Sequence, residues 1–102
     1  MVRFLVIYDE PENPVEFERH YREVHVPLAK KLPGLRRSTV SRDISAVRGE
    51  APFYLVGELE WDDMDSLKAA FVSPEGRATA EDVSTFVPAG KVRSVIYEVE
   101  EL

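Results

Sequence analysis

Proline fixes where the helices of this chain can begin. Asn13-Pro14 and Ser73-Pro74 each place a side-chain acceptor ahead of a residue that has no amide proton to lose and whose φ already suits a first helical turn. Glu16 follows Asn13 by three residues, the spacing of a capping box. After Pro14, the residues Phe17, Tyr21, Val24, His25, Leu28 and Leu32 fall on one helical stripe, and Pro33-Gly34 closes the segment. The segment opened by Pro74 runs to about Val83. A shorter helix precedes it, capped by Asp62 or Asp63 and carrying Met64, Leu67, Ala70 and Phe71.

Around these helices lie β-branched and aromatic runs. Val2–Tyr8 reads as a strand buried on much of both faces, Leu35–Ser45 as a loosely alternating second strand, Phe53–Trp61 as a third and Val92–Val99 as a fourth. Gly57 inside the third strand predicts a bulge or a close approach by another group. The order is βαββαβ, the split βαβ of a ferredoxin-like α+β fold: a four-stranded antiparallel sheet with helices on one face. Alternation sets Phe53, Leu55, Gly57, Leu59 and Trp61 against Tyr54, Val56, Glu58 and Glu60, and Val92, Ser94 and Ile96 against Arg93, Val95, Tyr97 and Val99. Neither face is uniformly polar, so the face without helices is expected to be covered by a second copy of the chain, making a homodimer.

Size and charge narrow the partners. At 102 residues the chain is one domain's worth, 1–102, and small for enclosing a substrate without a twin. It has no cysteine, which excludes disulfides, zinc-thiolate and iron–sulfur sites and thiol nucleophiles. A net charge of −6 is opposite to the footprint of a nucleic-acid binder. The imbalance is local, +1 over residues 1–51 and −7 over 52–102. No apolar run suffices to cross a membrane and the first residues lack signal-peptide order, so a cytoplasmic protein is expected.

His25 is the side chain best suited to chemistry near neutral pH. It shares the apolar stripe with Tyr21, one turn earlier, and Pro27 two residues later predicts a kink that opens space beside it. Two readings of His25 stand side by side: a base that takes a proton from a carbon acid or phenol, with Tyr21 orienting it or a substrate oxygen, and a buried histidine bonded to a backbone carbonyl or capping the kinked turn. His20 lies five residues earlier, about 140° around a regular helix, and reads as surface, too divergent for a shared metal. Asp82 is placed to fix the imidazole of His25 or Tyr21 if the helices face each other, or else to make a local hydrogen bond. Arg42, Asp43, Arg93, Glu58 and Glu60 read as ion pairs at a dimer interface. No metal site, glycine-rich phosphate loop or nucleophile elbow is found.

The run FxxxYxxxHxPL (Phe17, Tyr21, His25, Pro27, Leu28), the LPGL of Leu32–Leu35, the aromatic strand ending at Trp61 and SPEGRATAEDVSTFV (Ser73, Pro74, Glu75, Asp82, Phe86) together resemble the EthD family of small dimeric α/β-barrel proteins. The resemblance spans nearly the whole chain. It implies a ferredoxin-like protomer whose sheet packs against a twin, with a pocket between helices and sheet that His25 faces. It implies His25 as acid/base with Tyr21 beside it and Asp82 as the family's late-helix aspartate, and makes Phe4, Val6, Tyr8, Tyr54, Leu59, Trp61 and Phe86 candidates to line or close the pocket. Related dimeric barrels include isomerases, polyketide cyclases and cofactor-free monooxygenases, although this chain lacks the strand histidine some cyclases use. The function so implied is cofactor-free proton transfer (isomerase, cyclase or lyase type) on a small apolar oxygenated metabolite. The alternative is a non-catalytic binder of a hydrophobic metabolite, or an accessory to an oxidoreductase of the ether-degradation type.

Overall fold

The computed structural model describes residues 1–102. Four strands, β1 (Val2–Tyr8), β2 (Arg37–Val40), β3 (Leu55–Trp61) and β4 (Val92–Glu98), form one antiparallel sheet in the order β2-β3-β1-β4. Helical segments α1 (Pro14–His20) and α2 (Val26–Ala29), joined through Tyr21–His25, and α3 (Met64–Val72) and α4 (Pro74–Phe86) lie on one face. The architecture is the expected ferredoxin-like α+β arrangement. None of the helices is long and apolar enough to cross a membrane.

The caps form where the proline steps place them. The Asn13 side chain accepts from the Glu16 amide at 3.2 Å, Asp63 from Ser66 at 2.8 Å and Ser73 from Gly76 at 3.0 Å. Ser73 also donates its hydroxyl to the Ala70 carbonyl at 2.6 Å, so one side chain ends α3 and starts α4. The reciprocal half of the capping box is not made. The Glu16 carboxylate turns to Arg19 instead, 3.0 Å from its Nε.

Several elements differ in extent from the sequence reading: β2 begins at Arg37 rather than Leu35, β3 at Leu55 rather than Phe53, and β4 ends at Glu98 rather than Val99, with the larger changes at the ends of β2 and α4. β2 stops at Val40 rather than Ser45, because after Ser41 bonds Val56 the backbone turns out of the sheet at Asp43, which holds a left-handed φ of 52°. α4 continues past Val83 to Phe86, which brings that ring over the first helix. The register of β3 with β1 is unbroken through Gly57, so there is no bulge. The glycine instead admits the Tyr21 hydroxyl, 3.1 Å from where a Cβ would stand.

Between helices and sheet the core divides in two. Trp61, Leu67, Val2 and Ala70 anchor one cluster under α2 and α3, and Tyr8, Phe17, Tyr21 and Leu55 anchor the other under α1. On the opposite face of the sheet, register places Leu5 beside Val95 and Glu58, Ile7 beside Val56 and Arg93, and Arg3 beside Tyr97 and Glu60. Val95 is 49% and Tyr97 38% exposed there. Arg3 Nε lies 2.7 Å from Glu60 and 3.2 Å from Glu58, an ion pair within the chain that satisfies the buried Glu60 carboxylate.

Candidate active site

The first helix is irregular where the chemistry-bearing residues cluster. Tyr21–His25 is π-helical, and the Val26 amide reaches back to the Tyr21 carbonyl, five residues earlier. Pro27 supplies the reason: it has no N–H for the Glu23 carbonyl and its ring would press on that carbonyl in an α-helix, so the backbone widens by one residue per turn just before it. The expected kink therefore takes the form of a π turn. Five-residue bonding aligns residues five apart, and that overturns the placement of His20 on the outer surface. Its side chain is one-fifth exposed, and Nε2 lies 2.9 and 3.1 Å from the two carboxylate oxygens of Asp82.

His25 meets the same carboxylate. Its Nδ1 lies 2.9 Å from Asp82 Oδ2, and both side chains are about one-tenth exposed or less. Burial pushes the Asp82 carboxyl up, but hydrogen bonds from His20 and His25 outweigh it and hold the group below its ordinary range. Burial pulls the His25 imidazole below its ordinary value, and the bond to Asp82 only partly opposes this. The two directions are compatible, because a neutral imidazole still donates one N–H to an ionised carboxylate.

That carboxylate fixes both tautomers. An ionised Asp82 only accepts, so His20 Nε2 and His25 Nδ1 both carry protons. In the neutral rings the lone pairs are on His20 Nδ1 and His25 Nε2, neither of which bonds another group of the chain. No unpartnered polar side-chain atom is fully withdrawn from solvent, so each of these nitrogens borders space that water can enter.

Aromatic rings frame the cluster. Phe86 stacks on His20 at 4.5 Å and sits 5.4 Å from His25, and Tyr21 stacks on His25 at 5.7 Å. Tyr8 packs edge-on against both Tyr21 and Phe17. Burial pushes the Tyr21 hydroxyl up to about 12 and raises that of Tyr8 further, so both stay protonated donors at neutral pH. Val6 packs against the same cluster, and Tyr54 donates to Glu18 at 3.0 Å on its margin.

The remaining pocket candidates lie apart. Leu59 and Trp61 belong to the other core cluster, where Trp61 is fully buried and its Nε1 donates to the Pro33 carbonyl at 2.9 Å. Phe4 packs edge-on to Phe71 at 4.9 Å. Sequence reasoning missed His20 as a member of the cluster, and set Phe17 on the stripe of Tyr21 and His25 without assigning it to the site; for His20 the available signal was Pro27, read through its effect on helical register.

Two clefts open nearby. One of about 790 Å³ lies between the Ser41–Tyr54 connection and α1, with Glu18, Arg22, Asp43 and Tyr54 on its walls. The other, about 380 Å³, has Phe17, His20 and Phe86 on its floor. Neither is lined by His25, Tyr21 or Asp82, so the cluster meets a sizeable cleft through His20 and Phe86. No set of three or more imidazole, carboxylate or thiol groups converges on a point suited to a metal ion.

Comparison with known proteins adds to this geometry. The family profile described as EthD domain matches residues 9–89. An uncharacterized 11.0 kDa protein in the thcB-thcC intergenic region of Rhodococcus erythropolis is 31% identical over 90 residues, covering 88% of this chain and 87% of that protein. The crystal structure of an EthD family protein from Bacillus halodurans is 36% identical, covers 98% of this chain and 99% of its own, and superposes with a TM-score of 0.90. SnoaB, a cofactor-independent oxygenase from Streptomyces nogalater, shares the fold at 19% identity, with a TM-score of 0.68 over 99% of this chain and 94% of its own. Further neighbours in fold, 13% to 19% identical, are described as dimeric ferredoxin-like proteins.

Proposed function

Because the chain belongs to the EthD domain family, we propose that it is a cofactor-free proton-transfer enzyme of isomerase, cyclase or lyase type acting on a small apolar oxygenated metabolite. One observation carries this reading: the 2.9 Å bond from His25 Nδ1 to Asp82, which holds the imidazole in the tautomer whose Nε2 is a free base. Burial keeps that base unprotonated near neutral pH. In this reading His25 Nε2 takes a proton from the substrate and returns it at a neighbouring atom, and Asp82 stabilises the imidazolium between the two steps. The Tyr21 hydroxyl, still protonated, donates to the substrate oxygen as negative charge develops. Tyr8, Phe86 and Val6 supply apolar walls. That the same fold serves a cofactor-independent oxygenase supports a site that works without a bound group.

The functional unit in this reading is a homodimer closed through the open sheet face, into which Val95 and Tyr97 project. The dimeric neighbours in fold support it. A second reading, a non-catalytic binder or an accessory to an oxidoreductase, is favoured by one feature: His25 does not line either of the two larger clefts.

A thermal-shift screen of phenols, lactones and aromatic ketones against the wild type and His25→Gln separates the two readings. Turnover of a stabilising compound that falls about 10²- to 10⁴-fold in His25→Gln, with its binding largely kept, supports the enzyme. Unchanged turnover in the variant excludes His25 as the base, and binding without turnover by the wild type favours the second reading.

A further inference from the structure

Asp82 orients two imidazoles, and the one with access to a formed cleft is His20. The cleft of about 380 Å³ lies between the Asp9–Asn13 turn, α1 and the end of α4. Its floor is apolar, with Phe86, Phe17 and Pro88, and the His20 ring is held flat against Phe86 at 4.5 Å. With Nε2–H committed to both oxygens of Asp82, Nδ1 is the nitrogen that the neutral His20 ring offers as a hydrogen-bond acceptor, and it borders solvent space. The rim is acceptor-rich as well. Asp9 is paired with Arg93 and Glu16 with Arg19, whereas Glu10 and Glu12 make no ion pair and face a single cation, Lys91.

We propose that this cleft is a binding site for an aromatic amine bearing a ring hydroxyl, with the ring on Phe86 and Pro88, the hydroxyl donating to His20 Nδ1 and the ammonium group toward Glu10 and Glu12. An anion of the same shape is disfavoured, because it meets two carboxylates that have no ion-pair partner. The site stands apart from the reading of His25, since none of its contacts involves that residue.

Tyramine and 4-hydroxyphenylacetate share the ring and hydroxyl and differ in the sign of the terminal charge. Titrating each into ¹⁵N-labelled protein, with the imidazole nitrogens followed by long-range ¹H–¹⁵N correlation, tests the proposal. The expected result is saturable binding of tyramine that shifts the His20 Nδ1 resonance, and at least tenfold weaker binding of the carboxylate. His20→Phe, which keeps a ring against Phe86, should weaken tyramine about tenfold, in line with loss of one hydrogen bond. The double variant Glu10→Gln/Glu12→Gln, confined to the rim, should weaken it about fivefold. His25→Gln should leave tyramine binding within twofold, whatever its effect on turnover. Absence of saturable binding, equal affinity for the acid and the amine, or an unchanged affinity in both the His20 and the rim variants overturns the proposal. Loss of tyramine binding in a folded His25→Gln overturns the separateness of the site.

Discussion

His20 Nε2 and His25 Nδ1, five residues apart in one helix, meet opposite oxygens of a single carboxylate, at 2.9 Å each. A regular α-helix would set those side chains about 140° apart. The π turn between them makes the shared contact possible, and it depends on a proline two residues beyond.

Pro27→Ala restores an amide for the Glu23 carbonyl and removes the ring that crowds it. The segment should then relax toward α-helix, swinging His20 away from Asp82 while His25, nearer the anchored α2, keeps its bond. The imidazole ¹⁵N shifts should show His20 losing its fixed tautomer and His25 retaining it. Retention of both bonds in the variant would mean that packing, not the missing amide, sets the π turn.

Stability should fall on mild acidification, and His25 should be a cause. Its pKa is depressed in the folded state, so below the ordinary value of 6.5 the unfolded chain takes up a proton that the native chain resists. Stability is therefore greatest above that pH and is lost on descending toward the lower native value. Asp82, also depressed, contributes stability above its ordinary 3.8 that is lost only at still lower pH. Urea unfolding at pH 7.5, 6.5 and 5.5 should give a slope with pH that is smaller in His25→Gln. An equal slope in the variant assigns the effect elsewhere.

Gly57→Ala places a Cβ 3.1 Å from the Tyr21 hydroxyl oxygen. That ring is held among Tyr8, Phe17 and His25 and has little room to retreat. A loss of about 1 kcal/mol is expected from this mild overpacking, with the Tyr21 ring displaced relative to His25. Denaturant titration and the ring-current shifts of the His25 protons provide the check.

Gly76→Ala should be far worse. A Cβ there falls 2.1 Å from the Ala70 carbonyl oxygen and 2.7 Å from that of Phe71, both backbone atoms of the adjoining helix. Since α3 and α4 share Ser73 as terminus and cap, they cannot separate without breaking it. About 3 kcal/mol or more is expected to be lost, at the upper end of overpacking effects. A melting temperature within a few degrees of the wild type would show that the two helices slide more freely than this contact implies.

Val95→Glu tests the dimer. Val95 lies beside Leu5 on the open sheet face, half exposed in the isolated chain and far from the histidines in the fold. A carboxylate there is harmless in a monomer and costly between two packed sheets. Light scattering should show a dimer for the wild type and a monomer for Val95→Glu; a wild type that stays monomeric at micromolar concentration removes the dimer from the proposed function.

Much of the fold was readable because its signals are local. Asn13-Pro14 and Ser73-Pro74 mark helix starts by chemistry that involves only a few neighbours, and the β-branched runs mark where strands lie along the chain. The end of β2 was not readable, because nothing in the residue types of Arg42-Asp43 specifies that Asp43 adopts a left-handed backbone. The site was half readable. His25, Tyr21 and Asp82 are singled out by face and residue type, but His20 requires the register change that Pro27 induces. Strand alternation could not separate the pocket candidates either, since Tyr8, Leu59 and Trp61 share one sheet face and only the helices above divide them between clusters.

The π turn also limits how this helix can change in length. It acts as one extra residue absorbed into an otherwise regular helix, and winding the same residues as a regular α-helix would rotate α1 by roughly 100°. Deleting any one residue between Tyr21 and His25 would restore regular winding with the two histidines four apart, so Phe17 and His20 would keep their place against Phe86 and Asp82. A homologue shorter by one residue here is thus expected to keep paired histidines at a spacing of four, whereas one of equal length that lacks the π turn is expected to have lost the pairing even where both histidines are still present in its sequence.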